Sequence, residues 1–177
     1  MEIFEAIAKR HSYRAAYTGQ PVPRADLERI VQAGIQAPSG RNDQTTTFVI
    51  VDDPALVAQI AALPAAGVAV QTAQAYILCI TPDPADYAGG PLTFYVEDCA
   101  AATENMMLAL TALGYASVWI DGWLRRDGRA RAIGALVGLP ADKTVRILMP
   151  IGVPAEQWAQ REKKPFAQRA WFNRYGE

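Results

Sequence analysis

One histidine, His11, and two cysteines, Cys79 and Cys99, are the only imidazole and thiols among the 177 residues. Zinc chemistry and a histidine-based catalytic triad therefore have little to work with, and no metal-ligand spacing accompanies either cysteine. Both cysteines lie in apolar runs, which suits small core residues better than reactive thiols. No GxGxxG, no P-loop and no GxSxG stretch is present, so a Rossmann site, an NTPase and an α/β-hydrolase lose their main support. No apolar run approaches the roughly 18–20 residues needed to span a bilayer. The start, MEIFEAIAKR, is acidic and amphipathic, unlike a secretory signal. A formal charge of −1 argues against general binding to nucleic acid or anionic membrane. The expectation is one cytosolic (cytoplasmic) domain without metal, long enough to bury a core of its own. The apolar share of 51% sits at the top of the usual ~45–50%, which leaves surface to bury at a subunit interface or a cofactor.

What is present is organised around Val96 to Trp123. From Glu97 to Leu113 there is no proline or glycine, and Ala, Leu, Met and Glu all favour helix. Apolar residues fall on nearly every face, so this helix needs cover all round, from its own domain or from a second subunit. Gly114 stops it, Tyr115 to Ile120 reads as a short buried strand, and Asp121-Gly122 ends that strand in a turn. Such a turn can present backbone N–H groups to a ligand. Further helices are expected over Glu2–Lys9, Arg24–Gln36 (Leu27, Ile30, Val31 and Ile35 inward), Pro54–Ala62 and Arg129–Val137. Strands are expected over Phe48–Val51, Tyr76–Thr81 and Val145–Ile151. Ala65 to Gln74 carries no assignable pattern. Thr81 to Pro91, rich in Pro, Gly and Asp, reads as a loop able to act as lid or interface arm. From Ala155 onward the tail is basic and aromatic. Strands separated by helices indicate an α/β or α+β layered domain.

Arg10, Ser12 and Arg14 fall at i, i+2, i+4, one side of an extended segment. Two guanidinium groups and a hydroxyl there suit a phosphate, and they equally suit a solvated basic turn. Pro38, Ser39, Gly40, Asn42 and Gln44 offer uncharged donors for a flat polar ligand, or simply form a turn. Trp119 and Trp123, flanking Asp121-Gly122, fit a core or an interface as well as a stacking role. Arg161, Lys163 and Lys164 read as a solvated charge run.

Taken in order, KRHSYR, APSGRNDQ, ENMMLALTALGYASVWIDGW, LMPIGVP and the late KKP resemble the FMN-dependent nitroreductase family, from Ile3 to about Pro165. Each motif is weak alone; the ordered set is specific. The resemblance implies an α+β fold, a three-layer α/β/α sandwich with a mainly antiparallel central sheet, in a single domain over residues 1–177. It implies a homodimer whose two FMN molecules lie between subunits, with the tail from about 155 to 177 packing on the partner. Arg10 and Ser12 are then expected at the phosphate and ribityl end, with His11 also among the cofactor-binding residues, and Arg14 at the pyrimidine edge, where a cation favours the reduced form. From the partner chain, Pro38, Ser39, Gly40 and Asn42 are expected along the ring and its side chain. Trp119, Ile120, Asp121 and Gly122 are expected to set Ile120 on the ring face and two backbone amides at N5 and O4. Arg161 and Lys163 are expected to close over the phosphate.

The implied activity is oxidation of NADH or NADPH and reduction of nitroaromatics, quinones or similar small molecules, donor and acceptor using one open face in turn. No side chain is then needed as acid, base or nucleophile. The chain also departs from the family pattern. Thr45-Thr46 stands where members often have Pro-Trp, the Lys or Asn that larger members place within 65–74 has no clear counterpart beyond Gln71 or Gln74, and no Pro occupies position 119. Other chemistry on the same fold (reductive dehalogenation, flavin fragmentation, azoline oxidation), a flavin-binding module without turnover, and a basic-tailed interaction domain remain the alternative readings.

Overall fold

The structure is a computed structural model that describes residues 1–84 and 93–176. The expected lid or arm at 81–91 falls largely outside the described residues. Three strands form an antiparallel sheet in the order β1 (Thr47–Val51), β2 (Ala75–Pro82), β3 (Lys143–Ile151). Around it lie α1 (Ile3–Lys9), α2 (Arg24–Ile35), α3 (Pro54–Ala61), α4 (Val68–Gln71), α5 (Tyr95–Ala112) and α6 (Arg129–Leu136). α4 occupies the stretch for which the pattern offered no assignment; four residues are too few to display a helical period.

Strand alternation divides the core in two. Tyr76, Leu78 and Ile80 of β2 face a cluster completed by Ile60 of α3, Val70 of α4 and Ile133 of α6. Ala75, Ile77 and Cys79 face the opposite cluster, with Leu27, Ile30 and Val31 of α2 and Met106, Met107 and Leu110 of α5. Helices on both faces of one sheet make the three-layer α/β/α sandwich, antiparallel in its named strands, that the family resemblance implied. Each fully buried Leu, Ile or Met contributes about 1.5–3 kcal/mol, and all residues of β2 are buried. α2 and α5 approach closely because Gly34 has no side chain: a Cβ there would lie 2.8 Å from Met106 Cγ. The thiol of Cys79, hydrogen-bonded to Cys99 and buried, is held well above its usual range, so it stays protonated and packs as a core residue.

The helix punctuation follows ordinary chemistry. Asp53 caps α3, its carboxylate accepting from Ala55 N (2.9 Å) and Leu56 N (3.0 Å), with Pro54 in the first turn. α5 ends as Gly114 turns left-handed at φ 86°, and Tyr115 N reaches back to Leu110 O at 2.9 Å.

Two expectations need correction. Tyr115–Ile120 is not a continuous strand. It makes single bridges, Ala116 with Gly152, Ile120 with Leu148 and Ser117 with Ser12, because this one segment must pair with both β3 and the N-terminal stretch. Ile35 is 54% exposed rather than inward, since α2 ends at that residue, on the rim of the sheet. α5 is covered on most but not all sides within one chain: Val96, Glu97, Glu104 and Ala112 are exposed. α1 leaves still more apolar surface bare. Only Ala6 is buried there, whereas Phe4 is 82% exposed and Ile3 and Ile7 are about half so.

Candidate functional site: a cationic cleft joined to a backbone-amide turn

The stretch after α1 is extended and held against the core by its main chain: Tyr13 N donates to Ser117 O at 2.9 Å, and Ser12 bridges Ser117. Alternation then turns Tyr13 inward, fully buried, and Arg10, Ser12 and Arg14 outward. These three, with His11, line a cleft of about 420 Å³ whose opposite wall is Trp158, Ala159, Gln160, Arg161 and Lys163. Arg10, His11, Ser12, Arg14, Arg161 and Lys163, all expected to bind the cofactor, are thus brought together within one chain. Arg10 Nε pairs with Glu104 Oε1 of α5 at 3.1 Å, which leaves the rest of the guanidinium for an anion. His11 Nδ1 is 2.8 Å from Lys9 O. Arg14 is exposed, its only described bond a long one of 3.5 Å to Ser12 O.

Arg14 also lines a second cleft, of about 360 Å³, so the two share a wall. Its other walls are Ala65, Gly67, Val68, Ala69 and Val70 on one side and Val118 to Trp123 on the other. Trp119, Ile120, Asp121 and Gly122 all line it. Gln71 and Gln74 do not: Gln74 Nε2 turns to Thr72 O at 3.1 Å. Among the described residues neither the Asp121 nor the Gly122 amide donates to a protein acceptor, whereas Ile120 N is bonded to Leu148 O at 3.1 Å. A Cβ on Gly122 would meet no atom within 4 Å, so glycine is not required there by packing within this chain.

The Asp121 carboxylate is fixed by two arginines. Arg125 contacts both of its oxygens at 2.5–2.6 Å, and Arg146 Nη1 meets Oδ1 at 2.6 Å. That pairing holds the Arg125 guanidinium above its ordinary pKa. Arg146 reaches the turn because β3 carries an extra residue there. Cys79 pairs with Ile147 and Ile80 with Val145, so Arg146 is the bulged residue, and bulges re-aim side chains. Sequence pattern alone carries no sign of this role, since Arg146 interrupts an otherwise apolar strand like any edge charge.

The Pro38–Gln44 loop lies elsewhere. Pro38, Ser39 and Gln44 line a cleft of about 390 Å³ with residues of α2, β1 and α5, which shares no residue with the other two. Gly40 and Asn42 belong to the same loop, a 3-10 turn in which Arg41, Asn42 and Gln44 all take positive φ (54°, 58° and 48°). For non-glycine residues this left-handed conformation is strained. It is held by Gly40 N donating to Asp98 Oδ1 at 2.8 Å and Gln44 N donating to Ser39 Oγ at 3.2 Å. Phe94 fills the space beside Gly40 so closely that an added Cβ would lie 2.4 Å from its ring. An acidic residue early in a helix is ordinarily a dipole partner, so sequence alone gives no sign of this role for Asp98.

Comparison with known proteins decides the family. Residues 7–153 match the model of the nitroreductase family. The chain belongs to that family. "Putative NADH dehydrogenase/NAD(P)H nitroreductase" of Archaeoglobus fulgidus is 32% identical over 157 residues, covering 88% of this chain and 87% of that one. A Desulfovibrio desulfuricans protein solved in complex with FMN is 28% identical, with a TM-score of 0.80 and 99% and 98% of the two chains covered. A Bacteroides fragilis nitroreductase with bound FMN is 27% identical, with a TM-score of 0.77 over 98% of this chain and 100% of that one. The nitroreductase-family fold, and with it assignment as an oxidoreductase, stands on these matches. No described helix is long and apolar enough to cross a membrane.

Proposed function

We propose that the protein is a homodimeric FMN-dependent oxidoreductase that takes electrons from NADH or NADPH and passes them to nitroaromatics, quinones or related electron-poor small molecules. The observation that carries this reading is that Arg14 lines both a cationic cleft and the cleft of a turn whose backbone amides are free. The donor set fits FMN: paired guanidinium groups suit a phosphate, and unpartnered N–H groups beside an apolar wall suit the polar edge of a flat ring. When bound, FMN supplies two-electron redox chemistry that the side chains here lack.

In this scheme Arg10, His11 and Ser12 hold the phosphate and ribityl end, with Arg161 and Lys163 across from them. Arg14 stands by the pyrimidine edge and lowers the energy of negative charge accumulating there. Asp121 and Gly122 orient the reactive edge through their main chain, and Ile120 packs on the ring face. The carboxylate of Asp121 is neutralised and turned aside by Arg125 and Arg146, so its charge does not oppose electrons arriving nearby. Pro38, Ser39, Gly40 and Asn42 act on the site of the partner chain, which agrees with their distance from the clefts of their own. The bare apolar surface of α1 and of the tail is where the two subunits meet: Phe166 and Phe172 are 64% and 80% exposed in a single chain. The Thr45-Thr46 pair and the acceptor's end of the site set substrate preference.

Anaerobic mixing with NADH or NADPH tests the activity. Rapid bleaching of the flavin absorbance, restored by a quinone or nitroaromatic, is expected. Bound flavin that stays oxidised under either donor would reduce the protein to a flavin-binding module.

A further inference from the structure

Tyr13 stands in the middle of the cationic segment, yet its side chain serves the opposite wall of the cleft. Its ring is completely buried. The hydroxyl donates to Ala16 O at 2.5 Å and accepts from the main-chain amides of Ala155 at 3.1 Å and Glu156 at 3.4 Å. One donor and two acceptor positions are thereby all in use. The same ring packs edge-on against Trp158, with centroids 5.6 Å apart. Further along, Gln160 Nε2 donates to Arg10 O at 2.6 Å and to Ile7 O at 3.3 Å.

The chain leaving the core at Pro154 is therefore fastened to the N-terminal segment at two places just before Arg161 and Lys163. A main-chain bond, from Ala155 N to Ala16 O at 3.1 Å, shares the first of these. Residues 155–159 are exposed, and among the described residues neither Arg161 nor Lys163 is paired with a carboxylate. Where those cations stand is decided by the backbone that precedes them.

We propose that Tyr13, seconded by Gln160, is a positioning residue that gives the site its preference for phosphorylated over unphosphorylated flavin. The inference rests on the cofactor reading above. The Tyr13 hydroxyl holds residues 155–156, Gln160 holds the next stretch, and the two together keep Arg161 and Lys163 facing Arg10, Ser12 and Arg14 across the cleft. Riboflavin has the same ring and ribityl chain as FMN but no phosphate, so it does not sense those two cations.

The test compares FMN and riboflavin binding, by quenching of flavin fluorescence, in the wild type, Tyr13→Phe and Gln160→Ala. Tyr13→Phe keeps the buried ring, and Gln160→Ala alters a half-buried surface residue, so the two variants check each other. Loss of the hydroxyl is expected to weaken FMN about three- to tenfold, the range of a lost hydrogen-bond set, and to leave riboflavin unchanged. Trypsin should also cut after Arg161 faster in both variants without flavin. Equal weakening of both flavins, or a phosphate preference left intact in both variants, would overturn the inference alone. A wild-type protein that takes up neither flavin would overturn the cofactor reading and this inference with it.

Discussion

Two polar regions that the family resemblance assigns to one ligand are built in opposite ways. The segment around Arg10–Arg14 is rich in cations, relaxed in backbone, and tied to the core through Ser117 and to the tail through Tyr13. The Pro38–Gln44 loop has one arginine, sits against the buried carboxylate of Asp98, and holds three non-glycine residues in left-handed conformation. At a cost on the order of 1 kcal/mol or more for each strained residue, that loop keeps a fixed outward shape. The first region suits an anion, and the second suits something neutral and flat. Within one chain they line separate clefts. The difference teaches that a single chain presents two unlike clefts, which under the proposed function pairing of chains would bring together.

The harshest way to break that comparison is to keep the chains apart. Phe4→Asp combined with Ile7→Asp places charge on the bare face of α1. A monomer with flavin affinity reduced on the order of a thousandfold is expected, as for loss of interface anchors, read by sedimentation and absorbance. Gly122→Val comes next. Because this chain leaves room for a Cβ there, folding should be unaffected in thermal melts, while flavin binding falls roughly a hundredfold, the size of a forced steric overlap. Arg14→Ala should cost about 1.5–3 kcal/mol, the worth of a charged hydrogen bond. It should appear as weaker FMN retention and slower reduction by the nicotinamide donor.

The smallest effect concerns pH and leaves both clefts alone. Tyr115, on the stretch after α5, donates to Asp26 Oδ2 at 2.7 Å. Burial, with that bond, raises its pKa from 10.0 to about 12. The folded state then binds a proton that the unfolded state has released, so this share of stability is present below about pH 10 and is lost between about pH 10 and 12. Tyr115→Phe should lower stability by about 1 kcal/mol at neutral pH and flatten the alkaline loss in denaturant titrations.

What the sequence made legible follows physical scale. Unbroken apolar runs such as Tyr76–Thr81 and long helices such as α5 declare themselves, because burial is written in every residue. Short or divided elements do not. The four residues of α4 show no period, and 115–120 looks like a strand although its hydrogen bonds are shared among three neighbours. The cationic cleft was legible from spacing at Arg10, Ser12 and Arg14 together with the family resemblance, which alone linked it to Arg161 and Lys163. The fastenings behind it were not. Tyr13, Asp98 and Arg146 stand in stretches whose local pattern gives no sign of their roles. Each owes its role to a partner more than 20 residues away in the chain, and no local pattern records such a pairing.

Analytical sedimentation of the purified protein, followed at once by protein absorbance and at the flavin band, tests the central claim most directly. The account predicts one yellow species of twice the mass of the chain, carrying one FMN per chain that is released on denaturation. A colourless species, or flavin sedimenting with a single chain, would contradict it.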